Sequence, residues 1–360
     1  MTAQSSLTGP VLIVGAGLLG TSIGLALRQA RVEVLLRDVK PENIRIASGL
    51  GAGRAWDEQV PPQIVVVAVP PDFLGSEIVW ALDSCPASVV TDVGSVKTDP
   101  LHEAGRHGPT GYLDRYVGSH PMAGSERSGP LAASAALFGG RPWAITPHES
   151  ADPAAVDLVA QLVRVCGGTP VELSPGEHDR AVARTSHLPH LLAALVAGRL
   201  TDAPEDHLLL SGQGVRDVTR IAAGDPALWG QIVAANADAI GALLIELRED
   251  LDTLVAAVGG GERATIEALL DRGVAGTAAI PGKHGGPAQE VAALFVAVPD
   301  HPGELARLFA DASNIGVNVE DLRIDHDPGR RFGLVELTVV SDRVEFLQES
   351  LEAREWTTHR

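Results

Sequence analysis

Over its first half the chain alternates short apolar runs with helix-length segments, and that rhythm changes after Pro175. Residues 11–14, 32–36, 64–69 and 88–92 carry the runs; the first stops at Gly15, the third at Pro70-Pro71 and the fourth at Asp92 and Gly94. Buried runs separated by crossover-length segments predict a parallel sheet flanked by helices. Shorter strands are predicted near 116–119, 143–146 and 169–173, which ends the first domain at about residue 175. Beyond it, β-branched runs vanish and helices dominate. Asp225-Pro226 reads as a helix start, an N-cap followed by proline at the first helical position. Ile240, Leu243, Leu244, Leu247, Leu251, Leu254 and Val258 then recur at spacings of three and four, until three glycines at 259–261 end the pattern. Unbroken, this helix would span ~33 residues and about 50 Å. One small domain cannot cover that length, so the pattern predicts a partner subunit over part of it; a kink at Gly241 is the alternative. Residues 280–287 read as a linker. A strand at 292–298, a helix at 303–312 and strands at 317–324 and 332–340 follow, the start of a small α+β unit. The predicted domains are 1–175, 176–280 and 291–360, with a linker over 281–290.

A length of 360 residues exceeds one ordinary core, in keeping with this division. The chain is 45% hydrophobic and 21% charged, a globular composition, and its 4% aromatic content suits tight helix-on-sheet layers. A formal net charge of −18 makes a poor binder of nucleic acid or anionic membrane. An anionic metabolite stays open, because a few local cations such as Arg216 and Arg220 outweigh a distant field. Cys85 and Cys166 supply neither metal-ligand spacing nor a disulfide framework. No charged-then-apolar leader opens the chain, and no uncharged apolar run approaches about 18–20 residues. The expectation is a cytoplasmic protein without nucleic-acid, membrane or metal partners.

Gly15, Gly17 and Gly20, with Leu18 and Leu19 between them, match G-x-G-x-x-G directly after a strand and at the start of a helix. The first glycine permits the turn, the second admits a pyrophosphate, and the third lets helix and strand pack closely. The helix N-terminus then stabilises the phosphate charge. Asp38 closes the second strand, where a carboxylate accepts ribose hydroxyls and repels a 2′-phosphate; NAD is favoured over NADP, and Arg37 weakens that preference slightly. Val69, at the end of the third run, is counted with the cofactor-lining residues. The segment DVGSVK (92–97) sits where a fourth strand ends, the position at which open α/β sheets bind ligands. Its Ser95 suits substrate or nicotinamide, or caps the following helix. In GSHPMAG (118–124), His120 follows a strand; a neutral imidazole there can accept the proton of a hydroxyl whose carbon loses hydride. In SHLPH (186–190), His187 and His190 are three apart and share a helix face, with no third ligand to make a metal site. Arg216 and Arg220 suit bidentate carboxylate binding or interdomain salt bridges, and Trp229 walls a pocket or packs in a core.

Taken in order, GAGLLG, DVGSVK, GSHPMAG, SHLPH and RDVTRIAAGDPALW resemble the prephenate dehydrogenase family over residues 9–260. The resemblance implies a Rossmann-like domain, a helical dimerisation domain, and NAD-dependent oxidative decarboxylation of prephenate to 4-hydroxyphenylpyruvate. It implies His120 as the catalytic histidine bonded to the C4 hydroxyl, assisted by Ser95. Ser186, His187, His190, Trp229 and Glu126 fall at the substrate site; Arg220 holds a carboxylate, and Arg216 stands where relatives often have lysine. The tail resembles an ACT domain, the small amino-acid-sensing module. Asp300, His301 and Gly303 fall in its strand-to-helix turn and Asn314 and Asn318 in the segment entering its second strand, with tyrosine the implied effector. Arogenate, which has an amino group in place of the keto group, would suit the same machinery. A β-hydroxyacid dehydrogenase would need a lysine in the helical domain, and residues 175–241 contain none. A non-catalytic NAD- and amino-acid-binding regulator is the reading from another class.

Overall fold

Strand β1 (Val11–Val14) is wholly buried, and its residues divide by parity. Val11 and Ile13 enter one apolar cluster, Leu12 and Val14 another. Successive side chains of a strand face opposite ways, so an all-apolar run is what a sheet covered on both faces requires. The computed structural model describes residues 6–108, 111–124, 128–281, 290–325 and 332–360. The chain divides into two compact units, 1–249 and 250–360.

After β1 come α1 (Leu18–Gln29), β2 (Val34–Arg37), α2 (Pro41–Gly49), a short β3 (Arg54–Ala55), β4 (Ile64–Val67), α3 (Pro71–Ser84), β5 (Val89–Asp92) and α4 (Thr98–His107). The strands pair in parallel in the order β3-β2-β1-β4-β5. Parity persists across the sheet: Leu36, Ile64 and Val66 join Ile13 in the cluster with Ile23 and Leu27 of α1. Leu35, Val65 and Val67 join Leu12 in the cluster with Leu74 and Ile78 of α3 and Ala104 of α4. This is the Rossmann-like sheet expected. Strand order reverses between β1 and β4, which opens a crevice outside their carboxyl ends.

Strands β6 (Gly118–Pro121), β7 (Pro142–Thr146) and β8 (Thr169–Glu172), with α5 (Pro153–Val165) before β8, form a separate three-stranded sheet. There β6 runs antiparallel to β7, so the later strands do not simply extend the parallel sheet. The helical region comprises α6 (Pro175–Val182), a π-helical turn (Ala183–His187), α7 (Leu188–Gly198), α8 (Glu205–Leu208), α9 (Gln213–Arg220), α10 (Pro226–Ala235), α11 (Ala237–Gly260) and α12 (Arg263–Ala278). Asp225 caps α10 as predicted, accepting from the Ala227 amide at 2.9 Å. The long helix is broken, at Asn236 rather than Gly241, with α10 and α11 bent by 94°. Asn236 is buried and its amide bonds the Asp179 carbonyl at 2.9 Å and reaches His187 Nδ1 at 3.2 Å. Those tertiary bonds specify the break. Among the described residues no single helix is long and apolar enough to cross a membrane.

The second unit carries β9 (Val291–Pro299), α13 (Glu304–Ile315), β10 (Asp321–Asp325), β11 (Phe332–Val340), α14 (Val344–Glu352) and β12 (Thr357–His359). The sheet order β10-β11-β9-β12 is antiparallel throughout. Alternate residues Leu294, Val296 and Val298 meet Leu308 of α13 and Leu347 of α14 in its core. The linker expected over 281–290 lies, except for its two end residues, outside the described residues.

Candidate active site

At the crevice, the turn after β1 leaves no room for side chains where the chain itself must pass. Gly15 has φ +98°, and a Cβ on it would sit 2.3 Å from the Ala68 carbonyl and 3.1 Å from a Val69 methyl. A Cβ on Gly17 would meet nothing within 4 Å, so the backbone there faces open space. Gly17 caps α1 without a side-chain bond, which leaves first-turn amides for an anion; Leu18 and Leu19 are half-buried beside it. Asp38 braces the turn: one carboxylate oxygen accepts from the Ala16 amide at 2.7 Å and the other from the Lys40 amide at 2.7 Å. Arg37 is occupied elsewhere, paired with Glu77 at 2.5 Å and lying 3.7 Å over the Trp80 ring. It is therefore committed to α3. The arrangement fits a pyrophosphate and a ribose lacking a 2′-phosphate.

Beyond β5, alternation along β6 separates two functions. Ser119 turns inward and is fully buried; it donates to the Asp92 carbonyl at 2.8 Å and accepts from Trp143 Nε1 at 3.1 Å. His120, the next residue, is half-buried on the opposite face. Its Nδ1 lies 3.0 Å from Nε2 of His178 on α6, with the rings edge-on at 70°. His178 Nδ1 in turn meets Asp179 Oδ1 at 2.8 Å. Asp179 also accepts the amides of Lys97 and Thr98, each at 2.8 Å, at the start of α4. Beneath, the fully buried Lys97 ammonium is paired with Asp92 and donates to the Ser119 carbonyl at 2.7 Å. Asp92 further accepts the Tyr116 hydroxyl and the Gly94 amide, each at 2.9 Å. Ser95 is half-buried in the same loop.

The π-helical turn and α7 bring His187 and His190 to one aromatic ring. The His187 ring meets Trp229 edge-on at 6.0 Å, and His190 stacks on it at 3.5 Å and 7°. His190 also bonds the backbone of Ile221, the residue after Arg220. His190, Trp229, Leu191, Ala194, Ala222 and Gly224 line a cavity of about 420 Å³. Arg216 and Arg220 are exposed on α9 and Ser186 on the π-turn; Glu126 lies outside the described residues. In the second unit, Asp300, His301 and Gly303 form the exposed β9–α13 turn, whereas Asn314 and Asn318 stand exposed near the other end of α13. Among the described residues no His/Cys/Asp/Glu group is arranged to hold a metal.

Burial holds the His120 imidazole well below its ordinary value, reinforced by repulsion from His178, Lys97 and His187. It is neutral at pH 7. Burial likewise lowers His178, against the pull of Asp179. For Asp179 burial works upward, but the bonds from His178, Thr98 and Lys97 outweigh it and leave the carboxyl below its usual range. His187 falls from 6.5 to about 4, chiefly through burial. Well above pH 6.5 its ring is neutral folded and unfolded alike. As pH falls from about 6.5 towards 4 the unfolded chain protonates first, so stability is lost, by about 3 kcal/mol in total. Urea unfolding at pH 7 and pH 4.5 should show that loss, and a His187→Leu variant should lose less between the same two pH values; an equal loss in both would contradict it.

His178, Asp179 and Asn236 escape sequence reading, as does the pairing of Lys97 with Asp92 at the two ends of DVGSVK. They lie 58 to 82 residues from their partners in the cases of His178 and of Asp179 with Lys97. The one available signal was a histidine-aspartate pair early in a helix after Ser174-Pro175, which by itself reads as a solvated first turn.

Residues 23–172 match the family model described as prephenate dehydrogenase, nucleotide-binding domain, and residues 174–271 the one described as prephenate dehydrogenase, dimerization domain. The probable prephenate dehydrogenase NovF of Streptomyces niveus is 36% identical over 356 residues, 96% of this chain and 98% of its own. Prephenate dehydrogenase of Bacillus subtilis (strain 168) is 28% identical over 351 residues, 92% of each chain. The crystal structure of prephenate dehydrogenase from A. aeolicus in complex with hydroxyphenyl propionate and NAD+ has a TM-score of 0.67 at 28% identity and covers 74% of this chain and 96% of that one.

Proposed function

Because the chain belongs to the prephenate dehydrogenase family, we propose that it catalyses the NAD-dependent oxidative decarboxylation of prephenate to 4-hydroxyphenylpyruvate, on the route to tyrosine. The observation that carries the reading is His120: a neutral, half-buried imidazole at a strand end, with Nδ1 held by His178. Gly15, Gly17, Leu18, Leu19, Gly20, Asp38 and Val69 would hold NAD, which when bound supplies the acceptor for the hydride leaving C4. His120 takes the C4 hydroxyl proton, assisted by Ser95. The C1 carboxylate departs as carbon dioxide, its electron pair completes the aromatic ring, and His120 returns the proton to the C4 oxygen to give the phenol. His187, His190, Ser186 and Trp229 line the substrate site. Arg220, with Arg216 four residues earlier on the same helix face, holds substrate carboxylate through a planar, permanently charged group. Two relatives matched nearly end to end are named prephenate dehydrogenases, which favours the keto acid over arogenate.

Gly224→Ala tests the substrate wall. The added Cβ would lie 2.6 Å from Trp229 Nε1 and 3.1 Å from His190 Cε1, so the stacked rings must shift. kcat/KM for prephenate should fall by up to about 10²-fold, the scale of a 1 Å misplacement, with NAD affinity unchanged. Unaltered kcat/KM would remove this wall from the site.

Exposed Ile245, Leu251, Val255 and Val258 on α11 and Leu270 and Val274 on α12 support a homodimer through the helical region. Buried free thiols at Cys85 and Cys166 suit the reducing cytoplasm. In the second unit the order β-α-β-β-α-β supports an amino-acid-sensing role, with tyrosine the effector at Asp300, His301, Gly303, Asn314 and Asn318. The deciding assay incubates the purified protein with NAD and either prephenate or arogenate, with and without tyrosine, and follows NADH. Faster turnover of prephenate is expected; no NADH from prephenate would overturn the reading, and absence of tyrosine binding by calorimetry would remove the effector.

A further inference from the structure

We propose that His178 and Asp179 act as positioning residues that decide which nitrogen of His120 carries the proton, so that His120 meets its substrate with Nε2 bare. The proposal rests on the reading of His120 as proton acceptor.

Asp179 Oδ2 accepts the Thr98 amide, and Oδ1 accepts both the Lys97 amide and His178 Nδ1. Each oxygen of that carboxylate accepts a backbone amide that can only donate, and these bonds hold the carboxyl below its usual range, so Asp179 is ionised and acceptor-only. His178 therefore carries its proton on Nδ1. Its ring is buried, 1% exposed, and burial keeps it neutral, so its Nε2 is a bare lone pair. That lone pair lies 3.0 Å from His120 Nδ1, and two lone pairs would repel there. His120 must be the donor and carries its proton on Nδ1, leaving Nε2 as the ring's one acceptor. When Nε2 takes a proton, the imidazolium keeps its Nδ1–H bond to His178. The Asp179 charge stands one ring further away.

The intervening neutral ring has a physical consequence. A carboxylate bonded directly to His120 would raise its pKa and place a negative charge next to a dianionic substrate. With His178 between them, the orientation is kept and the charge is removed by the width of an imidazole. The charged and titratable groups facing His120 are His178 from α6, Lys97 from the loop after β5 and His187 from the π-turn; no carboxylate touches it among the described residues.

Long-range proton–nitrogen correlation spectra of protein labelled with 15N-histidine read the tautomer directly, with His120→Asn assigning the signal. The wild type should show the His120 proton on Nδ1 at pH 7. His178→Phe should shift it towards Nε2 and lower kcat by about 10–100-fold, the scale on which outer partners of a functional histidine act, with NAD affinity by calorimetry unchanged. His178→Gln, whose amide oxygen can accept from Nδ1, should keep the tautomer and recover most of kcat. A wild-type His120 protonated on Nε2 overturns the proposal, whatever the variants do. So does a His178→Phe enzyme that keeps both tautomer and kcat while His120→Asn is inactive. Full activity in His120→Asn would instead remove the reading of His120 itself.

Discussion

His120→Asn is expected to lower kcat for prephenate by about 10²–10⁴-fold, the usual scale for losing a general base, while leaving NAD binding intact. An asparagine amide can donate or accept a hydrogen bond to the C4 hydroxyl, but it cannot take its proton at neutral pH. The environment of the ring supports that role. Burial and the nearby Lys97, His178 and His187 hold His120 well below its ordinary value, so the base form dominates at pH 7. The acid limb of kcat/KM should therefore lie below pH 6.5 and disappear in the variant. Wild-type turnover by His120→Asn in a stopped-flow or steady-state NADH assay would end the assignment.

Lys97→Met is expected to produce the largest loss of stability. The ammonium is fully buried and paired with an equally buried Asp92, and removing one partner strands the other charge. Such a loss costs about 3–5 kcal/mol; for a unit of this size that is roughly a 10 °C fall in Tm. The remaining Tyr116 and Gly94 bonds to Asp92 soften the penalty without replacing a charge. Adding Asp92→Asn to Lys97→Met should restore much of the lost Tm, since the stranded charge is then gone. A single variant that melts with the wild type would show that the pair is not held as a desolvated ion pair. Loss of the Lys97 charge should also let the His120 pKa rise, moving the acid limb of kcat/KM to higher pH, which links this buried pair to the chemistry above it.

Much of the scaffold is legible in local pattern. The run at 11–14 matches β1 residue for residue, because a strand buried on both faces has no polar position to blur its ends. Asp225 caps α10 as read, through an oxygen that reaches an amide two residues on, a bond that local chain geometry alone creates. The pattern fails at Asn236, where the helix breaks between the start read at Asp225 and the repeat that begins at Ile240. A polar residue just ahead of an apolar repeat has no local signature when its reason for being there is a carbonyl 57 positions away. Arg37 shows the same gap: its neighbour Asp38 could be read from position, but its capture by Glu77 and Trp80 of α3 could not.

By itself, then, the order of residues determined the sheet, the glycine turn that admits a dinucleotide, and a histidine at a strand end, since backbone dihedrals and side-chain alternation act over a few neighbours. Only the packing of α6 against the end of β6 and the start of α4 decided that His120 would face His178, and that Asp179 would lie between a histidine and two helix amides. Hydrogen bonds of that kind depend on where whole elements come to rest, and no short-range rule of the chain encodes their distance.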